Sequence, residues 1–338
     1  MDIKEAIHQL VNRNNLTDDQ MTQIMQQMMC GQVTPAQMAG LLVALRMKGE
    51  TVTEIAACAK VMRTLAIPVV VQHPHLVDLV GTGGDAHNTF NISTASTFVV
   101  AAAGGVVAKH GNRSVSSQSG SADVLQAAGI HIELSAQQVM TCIEKLGIGF
   151  LFAPMHHQAM RHAILPRKQL GLRTIFNLLG PLTNPAKVTQ YVLGVYASQW
   201  LMPMAQVLHQ LGATHALVVH AEDGMDEISL QTSTQVVELV KGKFESYTIE
   251  PEDFAIARQD LRTIQVCNSQ QSLQLVQQAL ANETGAARDI VALNAGAGIF
   301  VAGLADTLIE GVRVARDVLA SGAARTKFEA LRDLTRSF

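Results

Sequence analysis

The chain has 338 residues, of which 48% are hydrophobic and 16% charged, enough apolar side chains for two packed domains and too many for a disordered polymer. Aromatics are only 4%, the formal charge is −3, and no run of Lys and Arg occurs. This excludes a stacking platform for single-stranded nucleic acid and a general polyanion footprint.

Cys30, Cys58, Cys142 and Cys267 lie far apart with no metal-ligand spacing. The start MDIKEAIHQL is polar and amphipathic rather than signal-like, and apolar stretches such as TFVVAAAGGVVA are too short to span a bilayer. A soluble, cytoplasmic protein with no membrane or nucleic-acid partner is expected.

Up to about residue 68 the punctuation is helical. Asp2 and Glu5, Thr17 and Gln20, and Thr51 and Glu54 have capping-box spacing, and Thr34-Pro35 is a cap followed by proline at the first helical position. Gly31 and Gly49 stand where helices should stop. After Ile67-Pro68 short apolar runs alternate with helical patterns: VDLV, a helix from about Ser93, VVAK, helices near Ser121–Ala128 and Ser135–Leu146, then IGFLF, QYVLGVYA, a helix to Leu211, and HALVVHA. Such alternation predicts an α/β domain with a mainly parallel sheet covered on both faces. The segment from His156 to Pro185 breaks it, being helical and rich in Arg and Pro, and is expected to return to the N-terminal helices. VVELVKGKFESYTIE reads as a hairpin, and helices fill 268 to 336.

The chemistry gathers at strand ends. VDLV runs into Gly81-Thr-Gly83-Gly84-Asp85 and then into Asn91, Ser93, Thr94, Ser96 and Thr97. The glycines formally fit a dinucleotide fingerprint, but no Asp or Glu occurs between Asp85 and Asp123 to hold a ribose, and no P-loop lysine follows. Lys109 and Arg113 close the next strand instead. Bare amides, a helix start near Ser93, hydroxyls and a lysine favour an anion over an ordinary glycine turn. The stretch KHGNRSVSSQSGSAD, 109 to 123, supplies a second such loop at the same sheet end and suggests a ligand with more than one phosphate.

Asp223-Gly-Met-Asp226-Glu227 follows HALVVHA, again at a strand's carboxyl end. It suits either a tight turn or carboxylate ligands for Mg²⁺. His73, His75, His156 and His157 lack partners spaced to complete a metal site. Arg161, Arg167 and Arg173 could face solvent or a substrate carboxylate.

GTGGD at 81–85, NIST at 91–94, KHGNRSVSSQSGSAD at 109–123, RTIFNLLGPLTNP at 173–185 and DGMDE at 223–227 together resemble the anthranilate phosphoribosyltransferase family, over nearly the whole chain. The resemblance implies a discontinuous helical domain (1–70 and 161–187) on an α/β domain (71–160 and 188–338), an active site in the cleft, and a homodimer through the helical part. It implies that Gly81, Gly84, Asp85, Thr89, Asn91, Ser93, Thr94, Lys109, Asn112, Arg113, Ser114, Ser116, Ser117 and Ser121 hold phosphoribosyl pyrophosphate. Ser93, Asp226 and Glu227 would place Mg²⁺, as two ions. Gly81, His110, Asn112 and Arg167 would face anthranilate, with Lys109, Asp226 and Glu227 the catalytic set.

Met225, Gln158, Leu165 and Ala128 stand where the family usually has Leu, Pro, Pro and Leu, and proline falls at Pro166 instead of 165. A pyrimidine-nucleoside phosphorylase of similar architecture, with different glycine and serine signatures, is the alternative among enzymes. A non-catalytic nucleic-acid-binding relative would require a basic stripe and decayed metal acids.

Overall fold

The computed structural model describes every residue except 86 and 115–118. Four helices open the chain: α1 (Ile3–Val11), α2 (Asp18–Met29), α3 (Pro35–Lys48) and α4 (Val52–Leu65). Thr17, Thr34 and Thr51 close full capping boxes with Gln20, Gln37 and Glu54, whereas Asp2 caps α1 by accepting from Lys4 N. Gly49 ends α3 at φ 92°, backbone that a side chain resists.

The third of these boxes carries more than a cap. Glu54 is fully buried and accepts from Leu16 N at 2.9 Å, Lys48 Nζ at 2.9 Å and Thr51 N at 2.8 Å. Removing it takes the counter-charge from a buried ammonium, which keeps only the neutral acceptors Asn15 Oδ1 and Gly49 O, and the acceptor from two amides. Glu54→Ala is therefore expected to cost about 3–5 kcal/mol. Lys60→Ala, which breaks the exposed pair with Asp18, should cost less than about 1 kcal/mol. Thermal melts of the two variants test this, and equally small shifts would contradict it.

Strand and helix then alternate through β1 (Leu76–Gly81), α5 (Ile92–Ala102), β2 (Val106–Gly111), α6 (Ser121–Ala127), α7 (Ala136–Leu146) and β3 (Ile148–Phe152). The chain leaves the sheet for α8 (Ala153–His156), α9 (Arg161–Leu170) and α10 (Phe176–Leu179), and returns with β4 (Gln190–Gly194), α11 (Leu201–Gln210) and β5 (His215–Ala221). The hairpin β6 (Thr234–Val240) and β7 (Lys243–Ile249) follows, then α12 (Ser269–Leu280), α13 (Ala286–Val301), α14 (Leu308–Ala320) and α15 (Ala323–Arg336).

The sheet has seven strands in the order β3-β2-β1-β4-β5-β6-β7. The first five are parallel, and the hairpin adds antiparallel strands at one edge. The parallel strands are mostly apolar runs, as burial on both faces demands, but Asp78 is wholly buried in the middle of β1, and Lys109 and His110 are buried toward the end of β2. The apolar helix α5 packs on β1 and β2 and against α13 and α15; α11 lies on β5 and β6 and meets α4. The excursion between β3 and β4 does turn back, with α9 packed on α2 and α3, and α10 on α4. Strand order reverses at β1, so a crevice forms at the carboxyl ends of β1 and β4, where open α/β sheets take ligands.

Candidate active site

At that crevice β1 and β4 end in glycines that pair in register, Gly81 with Gly194. A Cβ on Gly81 would stand 2.4 Å from Asp226 Oδ2, and one on Gly194 1.6 Å from Asp226 O. Two missing side chains thus let the loop after β5 lie across the strand ends. Asp226 Oδ2 accepts from Gly83 N at 2.6 Å, and His87 Nε2 donates to Asp223 O at 2.9 Å, tying the two loops together.

The residues of DGMDE divide between two places. Asp223 builds the turn, accepting from Met225 N at 3.1 Å and Ser229 Oγ at 2.6 Å, while Asp226 and Glu227 face the crevice loops. Gly81→Ala is expected to push the Asp226 carboxylate aside, costing about 1–3 kcal/mol in stability and on the order of 100-fold in turnover. Turnover at the unsubstituted rate would contradict this.

α5 begins at Ile92, and its second residue turns an amide toward the acids: Ser93 N donates to Glu227 Oε1 at 3.3 Å. Lys109 is buried at the carboxyl end of β2, its Nζ donating to Leu79 O at 2.6 Å and Ser93 Oγ at 3.3 Å. Burial lowers the basicity of Lys109, opposed by Asp78 and Glu227. Burial raises the Asp226 carboxyl, with Asp85 adding to it, and raises Glu227, with Asp226 adding to it and Lys109 opposing. The set of Asp85, Asp226, Glu227 and the Ser93 hydroxyl is hard oxygen with surplus negative charge, a donor chemistry that fits Mg²⁺. Among the described residues no three His, Cys, Asp or Glu side chains form a complete metal cluster.

Neighbouring polar groups fall into scaffold and open positions. Asn91 is committed to the scaffold: its N donates to Ser272 Oγ at 3.0 Å, its Nδ2 to Ser119 O at 3.1 Å, and its Oδ1 accepts from Ser272 Oγ at 2.7 Å and Ser119 Oγ at 2.9 Å. It thereby fastens α5, the second loop and α12 together, a role the sequence does not reveal. The buried Thr94 hydroxyl has no partner among the described residues. Thr89 bridges to Gln265, and Asp85 Oδ1 accepts from His87 N at 3.2 Å.

In the second loop Asn112 is exposed, and its carbonyl accepts from Ser121 Oγ at 3.3 Å. Arg113 pairs with Asp123 at 3.2 Å and lies over the Phe152 ring at 5.6 Å. Asp123 Oδ2 also accepts from Ser114 N at 3.0 Å and Gly120 N at 2.9 Å. The acid that ends the carboxylate-free stretch is the organiser of its own loop. Ser116 and Ser117 lie outside the described residues.

The return segment contributes a basic and aromatic wall. Arg173, which the sequence left undecided, clamps the glycine loop: its Nη2 donates to Gly84 O and its guanidinium lies 4.2 Å over the Tyr196 ring. Arg167 lies 5.1 Å over the Phe176 ring. α9 runs on through the buried Pro166, and the left-handed Gly171 closes it with a bond from its N to Arg167 O at 3.2 Å. His110 Nδ1 donates to Gly180 O at 3.1 Å, and the His110 and His157 rings meet edge to face at 5.2 Å. Burial holds His110, His156 and His157 below the usual imidazole range, so all three are neutral at pH 7. The Nε2 atoms of all three are buried without partners among the described residues.

The helical unit and mainly parallel sheet, with amides, hydroxyls and a lysine facing buried acids at the switch point, are those of a glycosyl-transferring enzyme, as two family models show. The model described as glycosyl transferase family, helical bundle domain, matches residues 4–66, and that described as glycosyl transferase family, a/b domain, matches residues 73–325. Among full-length relatives, anthranilate phosphoribosyltransferase of Hahella chejuensis is 56% identical over 100% of this chain and 99% of its own length. That of Hydrogenovibrio crunogenus is 53% identical over 100% of both. The crystal structure of the Thermus thermophilus anthranilate phosphoribosyltransferase superposes with a TM-score of 0.93 at 45% identity, covering 98% of this chain and 99% of that one. The chain belongs to the anthranilate phosphoribosyltransferase family, enzymes of tryptophan biosynthesis. The Saccharomyces cerevisiae enzyme in complex with PRPP and Mg has the same fold, with a TM-score of 0.90 at 24% identity over 99% of this chain and 98% of that one.

Proposed function

We propose that the chain transfers the phosphoribosyl group of 5-phosphoribosyl 1-diphosphate to the amine of anthranilate, releasing pyrophosphate, as the second step of the tryptophan branch. The observation that carries this is the juxtaposition of an amide, hydroxyl and lysine cradle with the buried pair Asp226 and Glu227 at the ends of β1, β2 and β5. The PRPP and Mg complex of the yeast relative supports both ligands.

The loop glycines Gly81 and Gly84, with Asp85, Thr89, Ser93, Thr94 and Lys109, hold the donor. Asn112, Arg113, Ser114 and Ser121 frame it from the second loop, and Asn91 keeps that loop in place. Ser93, Asp226 and Glu227 hold Mg²⁺, two ions in this reading, and ligand and water supply the remaining oxygens. The metal supplies charge neutralisation for the departing pyrophosphate.

The chain's own residues do the rest. Lys109 and the α5 amides meet charge that grows on the leaving group, where fixed donors act without reorganisation. The acceptor is a neutral aromatic amine and needs no strong base; positioning suffices. Arg167 takes the anthranilate carboxylate, and Gly81 and Asn112 flank the same acceptor. Because Nδ1 of His110 carries its proton to Gly180 O, its Nε2 lone pair is left to receive an amine N–H.

The helical domain (1–70 with 161–187) also mediates a homodimer in this reading, through a surface that includes the exposed Val11, Met47 and Ile164. A cytoplasmic location belongs to the same proposal; no helix among the described residues is long and apolar enough to cross a membrane. Incubation with both substrates and Mg²⁺, followed by mass spectrometry, should show the N-phosphoribosyl adduct and one pyrophosphate per adduct. Phosphorolysis of a pyrimidine nucleoside with no adduct would overturn the reading.

A further inference from the structure

The ladder between β1 and β2 stops early. Its registered pairs are Leu76 with Val106 and Val77 with Val107, whereas β1 stays paired with β4 as far as Gly81 and β2 with β3 as far as Gly111. The two central strands part on the way to the crevice, and three buried polar side chains occupy the gap. Asp78 Oδ1 accepts from His110 N at 3.3 Å, and Lys109 Nζ crosses to Leu79 O at 2.6 Å. The third is Asn184, from the return segment, whose Nδ2 donates to Asp78 Oδ2 at 2.7 Å and to Ala108 O at 2.8 Å. Backbone groups that a continuous ladder would have joined are satisfied by side chains instead, as buried amides and carbonyls require.

The wedge has a fixed seat. Asn184 Oδ1 accepts from Ala186 N at 2.8 Å, so its amide cannot flip without losing three bonds. Two residues earlier, Leu182 O accepts from Arg63 Nε of α4 at 2.6 Å, and Arg63 Nη2 donates at 3.1 Å to the hydroxyl of Tyr191, the β4 residue paired with Asp78. A polar chain therefore runs from the N-terminal helices to the β1–β2 gap. At its end stand two consecutive residues that point chemistry into the crevice, Lys109 and His110.

We propose that Asp78 and Asn184 are positioning residues for the transfer reaction, holding β2 away from β1 so that Lys109 and His110 reach the bound substrates. This rests on the roles given above to those two side chains. Neither Asp78 nor Asn184 touches substrate in this account; they act through the strand they hold.

The test is a pairwise exchange. In Asp78→Asn two amide donors face each other, and in Asn184→Asp two carboxylates do. Each single variant is expected to lose at least 30-fold in kcat while the KM for phosphoribosyl pyrophosphate moves less than threefold. In the double variant Asp78→Asn with Asn184→Asp the hydrogen bond reforms with its direction reversed, although Ala108 O loses its donor. It is expected to recover at least tenfold over either single variant.

A general structural role predicts lowered melting temperature with unchanged kcat per folded molecule, and that result overturns the proposal. So does a double variant no better than the singles. If either single variant does not fold, the comparison moves to Asn184→Ala, which keeps the carboxylate and its bond to His110 N; unsubstituted kcat there overturns the proposal as well. Absence of transfer in the unsubstituted enzyme would instead refute the function on which the proposal is built.

Discussion

Asp226→Asn combined with Glu227→Gln should abolish turnover, by on the order of 1000-fold or more, and at the same time stabilise the metal-free protein at alkaline pH. Both effects have one cause. The two carboxylates are buried side by side, with Asp85 near Asp226, and Lys109 and the Ser93 amide opposing the rise at Glu227. They suit a site completed by a cation and fit poorly without one.

Because burial raises both carboxyls, with Asp85 adding at Asp226 and Asp226 adding at Glu227, the folded metal-free protein keeps protons that the unfolded chain has already released. Its stability therefore falls as pH rises from the ordinary carboxylate range through the raised one. The amide variants remove that slope while leaving acceptors for Gly83 N and Ser93 N. Pyrophosphate release, together with melts in chelator at pH 6 and pH 8, measures both effects. Near-normal turnover would contradict the metal role, and an unchanged pH slope would contradict the raised carboxyls.

Arg167→Ala should raise the KM for anthranilate about 30- to 100-fold, as expected for losing a charge-assisted contact of about 2–3 kcal/mol, with less than threefold effect on the donor. The guanidinium is half-buried, its pKa lowered by burial, and it forms no ion pair with any described carboxylate. Held over Phe176 in the last turn of α9, its planar fork is the group the proposed function assigns to the anthranilate carboxylate. Arg167→Lys should recover only part of the loss, since a single ammonium cannot reproduce two parallel bonds. Steady-state kinetics with each substrate varied in turn would show it; equal changes in both KM values would remove Arg167 as the carboxylate partner.

These sites differ in how far the sequence exposes them. The glycine loop, the start of α5, Lys109 and the acid pair are legible because their neighbours in sequence carry the signal: strand, turn, then small polar residues. The hairpin β6–β7 and the helical return are legible for the same reason, from local pattern. What pairs with what across the sheet is not local. Asp223 builds its own turn and Asn91 is spent on Ser119 and Ser272, assignments that only the folded loops decide. Arg173 reaches Gly84 across 89 residues, and Asn184 reaches Asp78 across 106. A carboxylate inside the apolar run VDLV is a missed signal, one that could have marked a buried charge in need of a partner, and nothing in the run names Asn184.

The central claim is most directly tested by following anthranilate fluorescence in the purified enzyme with phosphoribosyl pyrophosphate, with and without Mg²⁺. The account predicts loss of signal only when enzyme, donor and metal are all present, with the slope abolished in the Asp226 and Glu227 double variant. Constant fluorescence from folded enzyme supplied with donor and Mg²⁺ would contradict it.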